Sequence, residues 1–546
     1  MLDRLPTELV IQIVEWTAVA HYGDKNTLLE LRKVCKLFNQ ILRPIALCTL
    51  PLDYTRIDYY QVTSRRRLKR KALRRIAPLC QSLFIDMMVI RDDGECQFLE
   101  NAFASIPKMM DWVSKLREWY CMHEEAFTAG MYRASLEMML NYTPNTTSVK
   151  LNLPFQLVAC GLQYRASTVI LGNTFDLLAH RRKGSKKLQT LSLENLSDIS
   201  VGQLWSNPSD VKNIIKTLSD LRHLSLSLRR PWVGEAPLWH ARRLWEMVCK
   251  AKNLESLCLI DLDVGERPRP AKLITTKVTD SVHSDWEYRS LPVISRPPKS
   301  VLLPNLTYLE LRNVNVKAEA LVCMFKSFAS CLQELYLDNV YLKTTYCIDW
   351  AIEVNYGDLW IGLPNVRPKT NQRWLATHIR QVCAQLRVCR VADLGYDRFV
   401  RRGIIEAPAT VKYDLHDPCG LKRTLEQRFV EVVMGYEQPA APDGSPMIYY
   451  PAEETQDRWT MADRKRPEEI AAKDWNASLY SLRERHPTSA LQKTIDGKFV
   501  NCNPWTLKML RNFSDRACEG LRELNLMRIE ERRESEESQE NQESQG

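Results

Sequence analysis

The chain has 546 residues, 45% of them hydrophobic and 26% charged, with a formal net charge of +10. That length supports more than one domain and a large buried core, and the composition is that of a globular protein. No apolar run approaches the ~18 residues of a membrane-crossing helix. Asp3, Arg4, Glu8 and Glu15 interrupt any apolar signal-peptide core. The sixteen cysteines are scattered without a Cys-x-x-Cys pair, which predicts free thiols in the cytoplasm and/or nucleus. Cys35, Cys249, Cys258 and Cys389 fall within apolar patterns, where a thiol acts as a small core residue.

The first elements in the chain are two apolar-striped helices. Pro6 suits a first helical turn, and Leu9, Val10, Ile13, Val14 and Thr17 follow at helical spacing. After the loop HYGDKN, Thr27 and Glu30 have the spacing of a capping box. A second helix then carries Leu28, Leu31, Val34, Cys35, Phe38, Ile41 and Leu42, and Pro44 is expected to end or kink it. So short a unit buries too little apolar surface to offset its chain entropy. It must pack on the rest of the chain or on another protein, and periodicity does not choose between them.

The stretches LPTELVIQIV and LLELRKVCKLFNQIL resemble the F-box motif of fungal-type F-box proteins. The matching positions are Leu5, Pro6, Glu8, Leu9, Ile13, Leu28, Leu31, Val34, Cys35, Lys36, Phe38 and Leu42. Trp16 departs from the pattern, being bulkier than the family usually has there. The resemblance implies that residues 1–48 dock on the Skp-type adaptor of a cullin–RING ubiquitin ligase. Leu5, Pro6, Leu9, Ile13, Leu28, Leu31, Val34, Cys35, Phe38 and Leu42 would form that contact.

Residues 49–78 read as a basic linker helix, with Leu68, Ala72, Leu73 and Ile76 at helical spacing among the Lys/Arg residues of Arg65–Arg75. A nucleic-acid or nuclear-import patch is the alternative to a solvated helix face. No aromatic residues are interleaved for base stacking, so nucleic acid is not the expected partner.

A strand pattern, Leu-x-x-Leu-x-Leu, then recurs from Leu188, Leu221, Leu254, Leu306 and Leu332. Weaker copies end at Ile85 and Leu153 and begin at Leu386. Helix-compatible stretches separate them. A strand and helix repeated at this interval is the pattern of leucine-rich repeats, in which stacked units bury what one unit leaves exposed. The expected fold class is α/β: an N-terminal helical unit that resembles the F-box, followed by an irregular leucine-rich-repeat solenoid over 79–400. The family's asparagine is displaced. Leu196, Leu262, Val314 and Val340 stand in its place, and Asn195, Asn313 and Asn339 come one residue early, so the turn after each strand departs from the family pattern. An unrelated parallel α/β domain is the alternative. Residues 265–301, rich in Pro and basic groups, are expected to form a long loop.

Beyond residue 400 the repeat fades. Residues 401–526 read as a helical cap, with Leu425, Phe429, Val432 and Val433 on one face and Trp459, Trp475 and Trp505 implying folded structure. Residues 527–546, with seven glutamates against Arg528, Arg532 and Arg533, read as a disordered acidic tail.

No catalytic or metal-ligand motif occurs, so no cofactor and no enzymatic activity is expected. Cys419 lies close to His416, and a turn is the better reading of the pair. The remaining function is binding. Side chains alternate across a sheet, so with leucines inward the residues between them should face out. These are Thr190, Ser192, Glu194, His223, Ser225, Ser227, Tyr308, Glu310, Arg312, Glu334, Tyr336, Asp338 and Arg390. Tyr308, Glu310, Arg312, Glu334, Tyr336, Asp338 and Arg390 carry the aromatic and charged groups that anchor interfaces and are the candidates for holding a protein target. The expected function is substrate recognition within a ubiquitin ligase, with a non-ligase interaction scaffold as the alternative.

Overall fold

A computed structural model describes residues 5–21, 25–53, 70–120, 128–155, 157, 165–228, 238–261, 293–294, 302–329, 331–347, 359–360, 375–401, 404–406, 425–434, 491, 495 and 504–543. Three helices open the chain: α1 (Thr7–Ala20), α2 (Lys25–Leu31) and α3 (Lys36–Ala46). The expected second helix is thus two. The chain is extended at Cys35, which starts α3, and Pro44 sits inside α3 instead of ending it. The expected capping box does not start α2, which begins at Lys25, and Glu30 pairs with Lys33 at 2.6 Å.

The rest of the fold is built on one sheet. In chain order its strands are β1 (Thr49–Asp53), β2 (Ser82–Asp86), β3 (Ser148–Asn152), β4 (Thr190–Leu196), β5 (His223–Leu228) and β6 (Ser256–Asp261). They continue with β7 (Val293–Ile294), β8 (Tyr308–Val316), β9 (Glu334–Cys347), β10 (Val388–Arg401) and β11 (Ile404–Glu406). Strands β1 to β6 and β8 to β10 lie side by side in sequence order, all parallel. The short β7 pairs with the end of β8, and β11 is antiparallel to β10. The sheet does not close, and its order never reverses. It therefore lacks the switch-point crevice at which doubly wound α/β folds bind ligands.

All eight stretches read as strands from their leucines are strands. Residues 49–53, read as linker, are instead the first strand, in register with β2 from Thr49 opposite Ser82 to Asp53 opposite Asp86. Within the basic segment, α4 (Arg70–Ile76) is helical and buries Leu73; residues 65–69 lie outside the described residues. The connections carry α5 (Asp93–Ala102), α6 (Pro107–Tyr120), α7 (Ala129–Tyr142), α8 (Arg165–Ala179), α9 (Asp198–Trp205), α10 (Pro208–Leu218), α11 (Leu238–Val248), α12 (Ala318–Phe328) and α13 (Leu375–Val382). Several begin on side-chain caps: Asp92 accepts from Gly94 N, Thr128 from Met131 N, Ser197 from Ile199 N and Asn207 from Ser209 N. Each satisfies a helix N–H that has no partner within the helix.

One core joins sheet and helices. Leu83, Val149, Leu191, Leu224, Leu257, Leu309, Leu335 and Cys389 form one row across the strands and pack with apolar residues of α7 to α13. Beside the last long strand, α14 (Leu425–Met434) contributes Phe429, Val430, Val433 and Met434 to the same core, while Glu426 accepts from Leu394 N at 3.0 Å.

The displaced asparagines have a structural reason. Asn195, Asn313 and Asn339 have φ of 58°, 55° and 55°, the left-handed region that asparagine tolerates better than most residues. One left-handed residue breaks the two-residue alternation. The residue after it, Leu196, Val314 or Val340, therefore turns back into the core and is fully buried. The apolar residue and the early asparagine form one device. Asn339 Nδ2 donates to Asn313 Oδ1 at 2.7 Å, and Asn195 Nδ2 to the Leu153 carbonyl at 3.2 Å, tying each left-handed position to the neighbouring chain segment.

The end of the chain does not follow expectation. The helix α15 (Pro504–Glu543) runs through most of the segment read as a disordered tail. Its Leu510, Phe513, Ala517, Leu521, Leu524 and Met527 pack against α5 and α6 in a second core with Phe103, Met109, Trp112 and Val113. Thus 504–526 does not cap the late strands; it packs near the exits of β2 and β3. Of the predicted loop 265–301, the described residues are the two of β7. Cys419, His416, Trp459 and Trp475 lie outside the described residues.

Candidate functional site

The ten residues expected to meet an adaptor divide into two groups. Leu28, Phe38 and Leu42 are buried with Val10, Val14, Ala18 and Ala46 in a small core among α1, α2 and α3, and Leu31 packs half-buried against it. These leave the list of direct contacts, because a helical unit must first hold its own helices together. Leu5, Pro6, Leu9, Ile13, Val34 and Cys35 remain exposed.

Helix α1 is apolar on two sides. Val10, Val14 and Ala18, spaced four apart, face inward. Leu9 and Ile13 stand 45% and 41% exposed, and Trp16 extends their row at 73%. A tryptophan so placed exposes a large apolar area that no described residue covers. Val34, between α2 and α3, is 59% exposed. Sequence reading named Leu9, Ile13 and Val34 but treated Trp16 as a departure; its position one turn after Ile13 was the available signal.

The second candidate surface is the strand face turned away from the helices. Its central row runs, in register, through Phe84, Lys150, Ser192, Ser225, Cys258, Glu310, Tyr336 and Arg390. Here the expectation of exposure is overturned. Tyr308, Glu310, Tyr336 and Asp338 are buried, as are Thr190, Ser192, Ser225 and Ser227. Arg312, Glu334, Arg390, Glu194 and His223 are half-buried.

Two physical causes account for this. The side chains cover one another: the Tyr308 and Tyr336 rings stack at 4.9 Å. Tyr308 donates to Glu310 at 2.8 Å and Tyr336 to Glu334 at 3.0 Å. Arg312 bridges Glu310 at 2.9 Å and Asp338 at 3.3 Å, and Lys150 meets Glu194 at 2.6 Å. The chain also covers itself. Leu491 and Ile495, both helical, are buried in one cluster with Phe84, Cys258, Ile260, Tyr308 and Tyr336. Nothing in the leucine spacing announces that cover. Burial pushes the Cys258 thiol well above its ordinary value, with the Glu310 charge adding to the rise.

A third polar group is internal. Arg91 and Glu95 form a buried ion pair at 3.3 Å. The guanidinium also donates to the carbonyls of Val89 at 3.0 Å, Met88 at 2.5 Å and Phe155. Glu95 accepts from Leu157 N at 2.5 Å, and Asp92 from Ala166 N at 2.7 Å. Every charged group is taken up in pinning loops together, so the cluster is structural.

Among the described residues no group of His, Cys, Asp and Glu is arranged to hold a metal ion, and no helix is long and apolar enough to cross a membrane. No protein-family model matches the chain, and no curated protein matches it.

Proposed function

We propose that this chain is the substrate-recognition subunit of a cullin–RING ubiquitin ligase. The outward row of α1 docks on a Skp-type adaptor, and the parallel-strand domain, an irregular leucine-rich-repeat solenoid, holds a protein target. The observation that carries this is the double-sided α1, with one apolar side spent on its own small core and Leu9, Ile13 and Trp16 left outside. Exposed leucine, isoleucine and tryptophan in one helical row suit a helical partner face. Unreversed strand order and the left-handed asparagines within β4, β8 and β9 support the repeat reading.

In this account the protein breaks no bond. It raises the local concentration of target lysines near a ubiquitin-charged enzyme. Glu334 and Arg390 stay partly accessible, whereas Arg312, with 11% of its side chain exposed, is held between Glu310 and Asp338. Tyr308, Glu310, Tyr336 and Asp338 contribute only if their cover moves.

The test is recovery of the chain from cells treated with a proteasome inhibitor, wild type beside Leu9→Asp/Ile13→Asp. Adaptor, cullin and ubiquitin-modified cargo should accompany the wild type and be lost together in the variant. Equal recovery of adaptor by both proteins rejects the proposal.

A further inference from the structure

The parallel strands β2 to β6 all begin at one edge of the sheet, and the turns there lie side by side. Ser148 N donates to the Gln81 carbonyl at 3.2 Å, Thr190 N to Thr147 at 3.1 Å, His223 N to Gln189 at 2.9 Å and Ser256 N to Arg222 at 3.0 Å. Side chains tie the turns further: Asn145 Nδ2 donates to the Pro78 carbonyl and Asn253 Nδ2 to the Ser219 carbonyl, each at 2.9 Å. Five strands in this order span about 19 Å.

This edge is basic. Helix α4 brings Lys71, Arg74 and Arg75 to it, all exposed, with the Arg74 guanidinium over the Tyr142 ring at the end of α7. The turn between α8 and β4 adds Arg182, Lys183 and Lys186, and the turn between α11 and β6 adds Lys250 and Lys252. None of these eight has a carboxylate partner among the described residues. The carboxylates on the same turns, Asp220 and Glu255, are already engaged, with Lys187 at 2.8 Å and Arg222 at 3.6 Å. Arg181 braces the α8–β4 turn from inside, donating to the Lys186 carbonyl at 2.9 Å and the Pro144 carbonyl at 3.5 Å. Gly184 reverses the same turn with φ of 89°.

Helices end at this edge, and their partial negative charge favours basic neighbours. That does not account for the pattern. The turn after α7, residues 143–147, carries no basic group, whereas the turn after α8 carries Arg181, Arg182, Lys183, Lys186 and Lys187. Between α4 and β6 the edge exposes no large apolar side chain among the described residues, and Leu188, Leu221 and Leu254 are buried beneath it. Protein interfaces are anchored by desolvated apolar and aromatic groups. This edge presents charge without such anchors, which suits a phosphate backbone.

We propose that the strand-entry edge from α4 to β6 binds double-helical DNA through its phosphates, without regard to sequence. A duplex carries one charge per about 1.7 Å of its axis, twice the density of an extended acidic peptide at about 3.3 Å per residue. The lack of interleaved aromatics tells against stacking on single-stranded bases, not against phosphate contacts. The amides of Asn145 and Asn253 are engaged with carbonyls, so what faces outward is charge, not the neutral groups that read the ribose hydroxyls of duplex RNA. No residue of the adaptor-docking row takes part, so this inference does not depend on the function proposed above.

The test is fluorescence anisotropy of a labelled, mixed-sequence DNA duplex titrated with the full-length chain at several salt concentrations. Wild type is compared with Lys183→Glu/Lys186→Glu, with Lys250→Glu/Lys252→Glu and with Lys115→Glu/Lys212→Glu, whose exposed lysines on α6 and α10 lie off the edge. Six phosphate contacts imply a wild-type affinity that falls about 10³-fold between about 50 and 200 mM salt. Each edge variant should bind at least about tenfold more weakly at low salt and lessen the slope of log affinity against log salt by about two. The off-edge variant should keep the wild-type slope. Absence of wild-type binding at low salt, or equal weakening by edge and off-edge variants, overturns the proposal. So does displacement of the duplex by polyglutamate or duplex RNA, at matched charge, as readily as by unlabelled DNA.

Discussion

Removing the Glu95 carboxylate should cost the fold about 3–5 kcal/mol, the range for breaking one side of a buried ion pair. Glu95 and Arg91 are almost wholly inaccessible and 3.3 Å apart. At an effective dielectric of about 20, unit charges at that separation attract by about 5 kcal/mol. Glu95→Ala forfeits that attraction while the guanidinium stays inside, held by the carbonyls of Met88, Val89 and Phe155. It also leaves the Leu157 N–H without its acceptor, which costs about 1–3 kcal/mol when nothing replaces it. Those carbonyls offset part of the total, which brings it back into the stated range. Glu95→Gln retains an acceptor and most of the volume, so its loss should be smaller. Urea unfolding followed by far-ultraviolet circular dichroism measures both. A loss below about 1 kcal/mol for Glu95→Ala, or an equal loss for Glu95→Gln, would refute the assignment of Glu95 as counter-ion to a buried guanidinium.

The turn device makes a sharper discrimination. Asn313→Ala should cost about 1–2 kcal/mol for the left-handed backbone, whereas Asn313→Gly should cost less because glycine takes that conformation freely; equal losses in denaturant would contradict the turn's role. A Cβ added at Gly395 would run into the Tyr341 ring, beside the Trp360 indole that donates to the Gly395 carbonyl at 2.8 Å. Gly395→Ala should therefore lose about 1–3 kcal/mol in thermal unfolding, and an unchanged midpoint would show that the ring moves aside without cost. Burial raises the Asp92 carboxyl above its ordinary 3.8. Folding thus favours its neutral form, and the stability it contributes is complete below 3.8 and lost as pH rises through the folded value. Carbon-13 NMR should find its midpoint above 3.8; a midpoint at or below 3.8 contradicts the burial argument.

The strands were legible because each carries its own leucines: Leu191 and Leu193, Leu224 and Leu226, Leu309 and Leu311 fill the same two inward rows. Strand β1 escaped although Leu47, Leu50 and Leu52 have the full Leu-x-x-Leu-x-Leu spacing, because they follow directly on α3 and Pro51 interrupts the five-residue strand. It is a strand because β2 lies beside it. The tail misled in the opposite sense. Its glutamates and arginines signal solvation by composition, yet both are good helix formers, and the apolar stripe of residues 510–527 anchors the helix that continues into them.

In the candidate sites, periodicity located apolar residues without assigning their sides. Val10 and Val14 are as apolar as Leu9 and Ile13, and only the packing of α3 separates inward from outward. On the strand face, alternation placed Tyr308, Glu310, Tyr336 and Asp338 correctly opposite the leucines. It carried no information about Leu491 and Ile495, more than a hundred residues away in sequence, which are buried in one cluster with Tyr308 and Tyr336.

Titration calorimetry of the purified chain with a purified Skp-type adaptor tests the central claim most directly. Leu9 and Ile13 retain enough exposed surface that docking would bury roughly 1 kcal/mol of apolar area from each, and a buried aspartate adds a penalty. Leu9→Asp/Ile13→Asp should therefore weaken the complex at least about 50-fold, with the circular dichroism spectrum unchanged. Wild-type chain that gives no binding heat at several temperatures, or a double variant that binds as tightly as wild type, would contradict the account.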